Sequence, residues 1–135
     1  MRFALSTAQH KTTWDRLDAS WQAADSLPIF ESGWLFDHLY PLFTEPTNPC
    51  LEGWTALSML LARTNRIRGA LLVTAMAYRH PSVLAKMIAT VDIASGGRLE
   101  VGERRAPPFG RADDVSLSTA GLAGLADLAD LRPCV

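Results

Sequence analysis

Short apolar runs recur at nearly equal steps along the first hundred residues, and this recurrence limits the fold more than any other feature. They begin near Phe3, Trp34, Gly69 and Arg98, at steps of 31, 35 and 29 residues. In Trp34–Tyr40 three large apolar residues run straight into Asp37 and His38, and Gly69–Thr74 is apolar up to its final threonine, as expected of strands buried on both faces of a parallel sheet. A helical pattern lies in each interval, and regular strand–helix–strand steps imply right-handed βα units.

The first helix follows Thr12-Thr13-Trp14-Asp15, which has the form of a capping box with Thr12 at the N-cap. Trp14, Leu17, Trp21 and Ala24 then mark one face, and Pro28 ends it. Glu52–Arg63 is the second helix, with Trp54, Leu57, Leu60 and Leu61 as its buried stripe and Arg63 and Arg66 suited to its C-terminal end. The third begins at Pro81, a residue favoured in the first turn. Leu84, Met87, Ile88 and Val91 give it the i, i+3, i+4, i+7 spacing, and Gly96-Gly97 stops it. Residues 41–50 hold Pro41, Pro46 and Pro49 and form a long loop after the second strand, where α/β proteins place their chemistry.

The texture changes after Gly102. Glu103-Arg-Arg-Ala-Pro-Pro108 is charged and proline-rich, and Ala120–Leu131 repeats a three-residue theme. The expected division is residues 1–102 as βα units and 103–135 as a divergent, low-complexity tail.

Composition narrows the function. The chain has 135 residues, 48% of them hydrophobic, and a net charge of −1. That is enough for one core, and the balanced charge disfavours nucleic acid or an anionic membrane as partner. No apolar run is long enough for a transmembrane helix. Phe3–Leu5 starts a strand where a secretory signal would lie. Cys50 and Cys134 are too far apart for a metal motif and read as free thiols, so the cytoplasm is the expected compartment. No three histidines or acids fall at metal-ligand spacing. A nucleophile elbow, a P-loop and a dinucleotide glycine fingerprint are all missing.

Several unusual short motifs point to a family. These are Asp37-His38 after an apolar strand, Leu51-Glu52-Gly53-Trp54 opening a helix, Tyr78-Arg79-His80-Pro81 with Ala85-Lys86-Met87, Ala89-Thr90-Val91-Asp92, and Ser95-Gly96-Gly97-Arg98-Leu99. Together residues 2–102 resemble the luciferase-like monooxygenases, most nearly the bacterial members that use coenzyme F-420 (a deazaflavin) or FMN. The resemblance implies an α/β fold of parallel (β/α) units of a TIM barrel. About four units would be present, a truncated half-barrel, since the full barrel takes about 250 residues.

It implies a flavin or deazaflavin oxidoreductase acting on a small organic substrate, by hydride transfer or oxygen activation at the cofactor ring. Asp37 and His38 would lie beside that ring, with His38 as the catalytic group. A non-prolyl cis peptide or bulge near Leu71–Val73 would press on its back, placing Leu71 and Leu72 against the cofactor. Thr74 would offer its hydroxyl. No metal is implied.

Each residue also has a plainer reading. His38 is either a base or donor to the ring or a histidine bonded at a strand end. Asp37 either touches cofactor, caps a loop or orients His38. Thr74 bonds the cofactor or its own backbone. His10 reads first as a solvated loop histidine and His80 as a helix cap. Trp14, Trp21, Trp34 and Trp54 read as core. Arg104 and Arg105 read as a solvated loop in preference to a phosphate grip.

The departure from the family lies at Glu103-Arg104-Arg105, where a glycine-rich loop is expected, and the phosphate-binding loops after strands 7 and 8 have no counterpart. A reading-frame change near Gly102 accounts for both. The alternative function is then a non-catalytic half-barrel fragment that self-associates through open sheet edges or pairs with a second half. A flavodoxin-type domain is disfavoured, because Thr7-Ala8-Gln9-His10 has no glycine to admit a phosphate.

Overall fold

Among the described residues, helices cover one side of a four-stranded parallel sheet and leave the other side bare. The computed structural model describes residues 3–104. The chain runs β1 (Phe3–Ser6), α1 (Trp14–Ser26), β2 (Phe30–Leu35), α2 (Gly53–Arg63), β3 (Arg68–Ala75), a 3-10 turn at Met76–Tyr78, α3 (Pro81–Ser95) and β4 (Leu99–Arg104). Arg104, expected in a loop, is instead the last residue of β4, in register with Ala75; the expectations for Arg105 and for the repeat at 120–131 lie outside the described residues.

The sheet order is β1-β2-β3-β4, every pair parallel. When sequential parallel strands are joined by crossovers of one hand, every helix falls on the same face. Leu17 and Trp21 of α1, Leu57 and Leu60 of α2 and Leu84 of α3 accordingly meet Leu35, Leu71 and Leu99 of the strands in one core. The three expected helix stripes all face this core, with Trp14, Met87, Ile88 and Val91 half-buried at its margin.

Two close approaches fix the helix layer on the sheet. A Cβ at Gly33 would fall 2.7 Å from the Trp21 ring, and one at Gly69 would fall 2.8 Å from Leu57 Cδ1. Trp21 is held by its own indole N–H, which donates to Thr7 Oγ1 at 3.0 Å. Arg66 does not serve α2 as the sequence suggested. It reaches across to α1, where its guanidinium donates to the carbonyls of Ala24, Asp25, Leu27 and Phe30. Arg63 pairs with Asp18 of α1.

Three further expectations need correction. The N-cap of α1 is Thr13, whose hydroxyl accepts from Arg16 N at 3.4 Å, and not Thr12. The second strand starts at Phe30 and ends at Leu35, so Ser32 and Gly33 lie within it and Phe36–Tyr40 lie beyond it. The ladder ends there because both backbone groups of Phe36 bond the Gln9 side chain instead of a neighbouring strand.

The third correction concerns burial. The sheet is not covered on both faces among the described residues. Leu72 of β3 is 59% exposed, and Trp34 stands half-buried on the bare face with its indole N–H on Ser32 Oγ. The Arg68–Glu100 ion pair, at 2.5 Å, spans β3 and β4 on that face. It is largely exposed and contributes little.

Candidate active site

The segments that leave β1, β2 and β3 converge at the carboxyl edge of the sheet, and each is tied to its neighbour by a side chain. Gln9, after β1, is fully buried. Its Oε1 accepts from Phe36 N at 3.2 Å and its amide N–H donates to Phe36 O. One side chain thus stands in for a strand neighbour. The long loop returns to the same place: Leu51 N donates to Gln9 O and Lys11 N to Pro49 O, with His10 and Cys50 paired between them. Gly53 permits the closure, since a Cβ there would fall 2.7 Å from Phe36 O.

Past Leu35 the side chains alternate. The Phe36 and His38 rings pack in a tilted arrangement, with centroids 5.3 Å apart and planes at 56°, while Asp37 turns inward and is buried. The Asp37 carboxylate takes a bidentate pair from Arg79, at 2.6 and 2.9 Å, and accepts from Ala75 N at 2.9 Å. Arg79 also reaches Glu52. Glu52 caps α2, accepting from Trp54 N at 3.1 Å and Thr55 N at 2.7 Å. One guanidinium therefore joins the ends of β2 and β3 to the start of α2.

Burial works against the Arg79 charge, but the bonds to Asp37 and Glu52 outweigh it and hold the proton more tightly than in a free arginine. Burial would likewise raise the Glu52 carboxyl. Hydrogen bonds from Thr55 and Trp54 and the charge of Arg79 hold it below the usual glutamate range instead.

The expected site residues fall into three groups. Asp37 is committed to Arg79 and Ala75 and does not bond His38. His38 is half-buried, and its imidazole makes no hydrogen bond among the described residues. The peptide between Leu72 and Val73 is cis and non-prolyl, and the β3–β4 register shifts between Leu71 and Thr74. Leu71 packs its side chain into the core, while that of Leu72 is exposed on the bare face. Thr74 is buried, and its hydroxyl finds no partner among the described residues, its own backbone included.

Sequence reasoning passed over Gln9, Glu52 and Arg79 as site residues and read His10 as a solvated histidine. His10 instead packs against Phe36 with tilted rings, centroids 5.2 Å apart, and its Nδ1 accepts from Leu42 N at 3.1 Å. Arg79 stands within Tyr78-Arg79-His80-Pro81, so a motif marked its neighbourhood; nothing local marks Gln9. His80 does cap α3. Cys50 is a free thiol whose S–H lies 3.6 Å from His38 O, and burial pushes its pKa up, away from reactive thiolate chemistry.

The described residues contain no group of three His, Cys, Asp or Glu placed to hold a metal ion. No helix among them is long and apolar enough to cross a membrane.

Residues 1–103 match the sequence pattern of the luciferase-like monooxygenases. The chain belongs to that family. Solved structures agree on the fold of this luciferase-like chain. The coenzyme F-420-dependent tetrahydromethanopterin reductase of Methanopyrus kandleri superposes with a TM-score of 0.62 at 24% identity, over 76% of this chain and 26% of that one. A coenzyme F-420-dependent secondary alcohol dehydrogenase, in complex with an F-420–acetone adduct, gives 0.68 at 17% identity, over 76% and 31%. The oxygenating constituent of 3,6-diketocamphane monooxygenase from the CAM plasmid of Pseudomonas putida, in complex with FMN, gives 0.63 at 20% identity, over 80% and 31%. No curated protein sequence matches the chain. The luciferase-like chain thus spans between a quarter and a third of the length of these three proteins, and the fold it shares with them is of TIM-barrel type.

Proposed function

We propose that this chain supplies the first part of the cofactor site in a flavin- or deazaflavin-dependent oxidoreductase or monooxygenase acting on a small organic substrate. The observation that carries the proposal is the pair of unpartnered polar groups at the carboxyl edge of the sheet, the His38 imidazole and the buried Thr74 hydroxyl. A buried hydroxyl without a partner costs about 1–3 kcal/mol unless something bonds it. A ring with polar edge atoms fits that need. In barrels of this type such groups gather where the strands end.

When bound, coenzyme F-420 supplies hydride at its ring, and reduced FMN supplies electrons to dioxygen. His38 holds or gives a proton at the reacting edge. Thr74 orients the ring through its hydroxyl. Leu72 and the backbone at Leu71 support the ring's face. Asp37 acts through Arg79, fixing the end of β2 against β3, and it keeps water from the ion pair by its burial. Two cysteines without a metal spacing favour the cytoplasm as the compartment of such an enzyme.

The test is direct binding. Purified chain is mixed with FMN or coenzyme F-420 and desalted. Retained cofactor absorbance with quenched tryptophan emission supports the proposal; loss of both signals removes it.

A second reading has its own support. Among the described residues β1 and β4 each have a neighbour on one side only, and the sheet has one bare face. Open edges and an uncovered face favour association. On this reading the chain is a non-catalytic half-barrel fragment that pairs with a copy of itself or with a second half, and residues 103–135 are a divergent tail produced by a reading-frame change. A cooperatively melting monomer in sedimentation would speak against it. Coding DNA downstream of Gly102 with no further βα units in another frame would speak against the frame change.

A further inference from the structure

We propose that His10 is a second ligand-facing hydrogen-bond donor at this site, and that the ligand it recognises is a small molecule bearing a carbonyl or carboxylate oxygen. The inference rests on reading the strand ends as a ligand site and adds the chemical class of the ligand.

The tautomer of His10 follows from its partner. Nδ1 accepts the Leu42 N–H at 3.1 Å, so in the neutral ring the proton resides on Nε2 and that nitrogen is a donor. Nε2 has no partner among the described residues, and the side chain is half-buried. The ring cannot wander. Its backbone pairs with Cys50, and the bonds of Gln9 O with Leu51 N and of Lys11 N with Pro49 O flank it on either side. A donor fixed in this way binds without losing rotamer freedom.

Its neighbours define what it can bind. The Phe36 ring lies 5.2 Å from His10 and 5.3 Å from His38. The open Nε2 of His10 and the His38 imidazole, which has no hydrogen-bond partner among the described residues, therefore flank one aromatic ring. The nearby acids are taken: Asp37 and Glu52 both pair with Arg79. Donors beside an apolar ring select an oxygen acceptor carried on a small apolar body. A cation or an apolar molecule without an oxygen leaves the Nε2 donor of His10 unsatisfied. A solvated histidine would show no such selectivity.

The test uses the whole chain without cofactor and benzoate as the probe. The chain has three histidines, so each imidazole carbon can be followed by NMR in histidine-labelled protein. The expected result is that His10 and His38 shift together and saturably while His80 stays in place. His10→Asn keeps an acceptor for Leu42 N–H but removes the Nε2 donor; it should weaken benzoate binding about tenfold or more. An unmoved His10 signal in the parent, or His10→Asn binding as tightly as the parent, overturns the proposal. The parent titration needs no variant, so a misfolded substitution leaves it decisive. Failure of FMN and F-420 retention with benzoate still moving His10 and His38 would remove the cofactor reading alone. Retained cofactor with an unmoved His10 would remove this inference alone.

Discussion

Arg79 grips Asp37 with two parallel hydrogen bonds, at 2.6 and 2.9 Å, across 42 positions of sequence. The Asp37 side chain is 1% exposed and that of Arg79 13%. The pair is desolvated, so removing one partner strands a buried charge.

Arg79→Ala is therefore expected to lower stability by about 3–5 kcal/mol. Arg79→Lys should recover only part of the loss, because an ammonium cannot offer the planar fork. Urea unfolding followed by tryptophan emission measures both. Midpoints equal to the parent's would show that the pair contributes nothing.

Asp25 works at the opposite end of the sheet. Its carboxylate accepts the backbone N–H groups of Asn65, Arg66 and Ile67 at 2.7–2.9 Å, where the chain enters β3. Asp25→Ala leaves three donors without their acceptor and should cost about 2 kcal/mol or more. Hydrogen exchange should quicken at Ile67 and less so at the far end of β3; unchanged exchange at Ile67 would contradict this.

Acid should destabilise the chain over a definite range. For Asp25, burial raises the carboxyl but its three backbone donors outweigh that. For Glu52 the same contest ends the same way, and for Asp18 the Arg63 hydrogen bond lowers the value directly. A carboxylate whose folded value lies below its unfolded one contributes stability that is complete above the ordinary range and is lost as pH falls through the folded value. Urea midpoints should thus be level above about pH 5 and decline below about pH 4. Asp25→Asn should flatten part of that decline, and an identical slope in both proteins would refute the assignment.

Gly33 and Gly53 are fixed by close approach. Gly33→Ala drives a methyl into the Trp21 ring, and Gly53→Ala drives one into the Phe36 carbonyl. Each should cost about 1–3 kcal/mol. Gly53→Ala should also move the His38 imidazole signal, which Gly33→Ala should leave in place. No change at His38 in Gly53→Ala would show that α2 does not set the position of the β2 end.

Much of the fold is legible without coordinates because its signals are local. Leu84, Met87, Ile88 and Val91 repeat at helical spacing, Pro81 and Gly96 punctuate α3, and the strands recur at even steps. The cis peptide at Leu72–Val73 was expected from the family resemblance, since nothing in the pattern of three apolar residues announces it. The end of β2 was misplaced because Trp34–Tyr40 looks continuous as a string, whereas the ladder stops where Gln9 takes both backbone groups of Phe36. Leu72 was expected to be buried because hydrophobicity cannot tell a covered face from a bare one.

The sequence by itself determined the order of helices and strands, their parallel arrangement and the faces the helices turn to the core, because periodicity acts over a few residues. Tertiary structure alone decided that Arg79 meets Asp37 and Glu52, that Gln9 bonds Phe36, and that His10 and His38 share one aromatic ring. Those partners are set by strand register and loop closure, and a side chain's composition and spacing do not specify what register will bring to it.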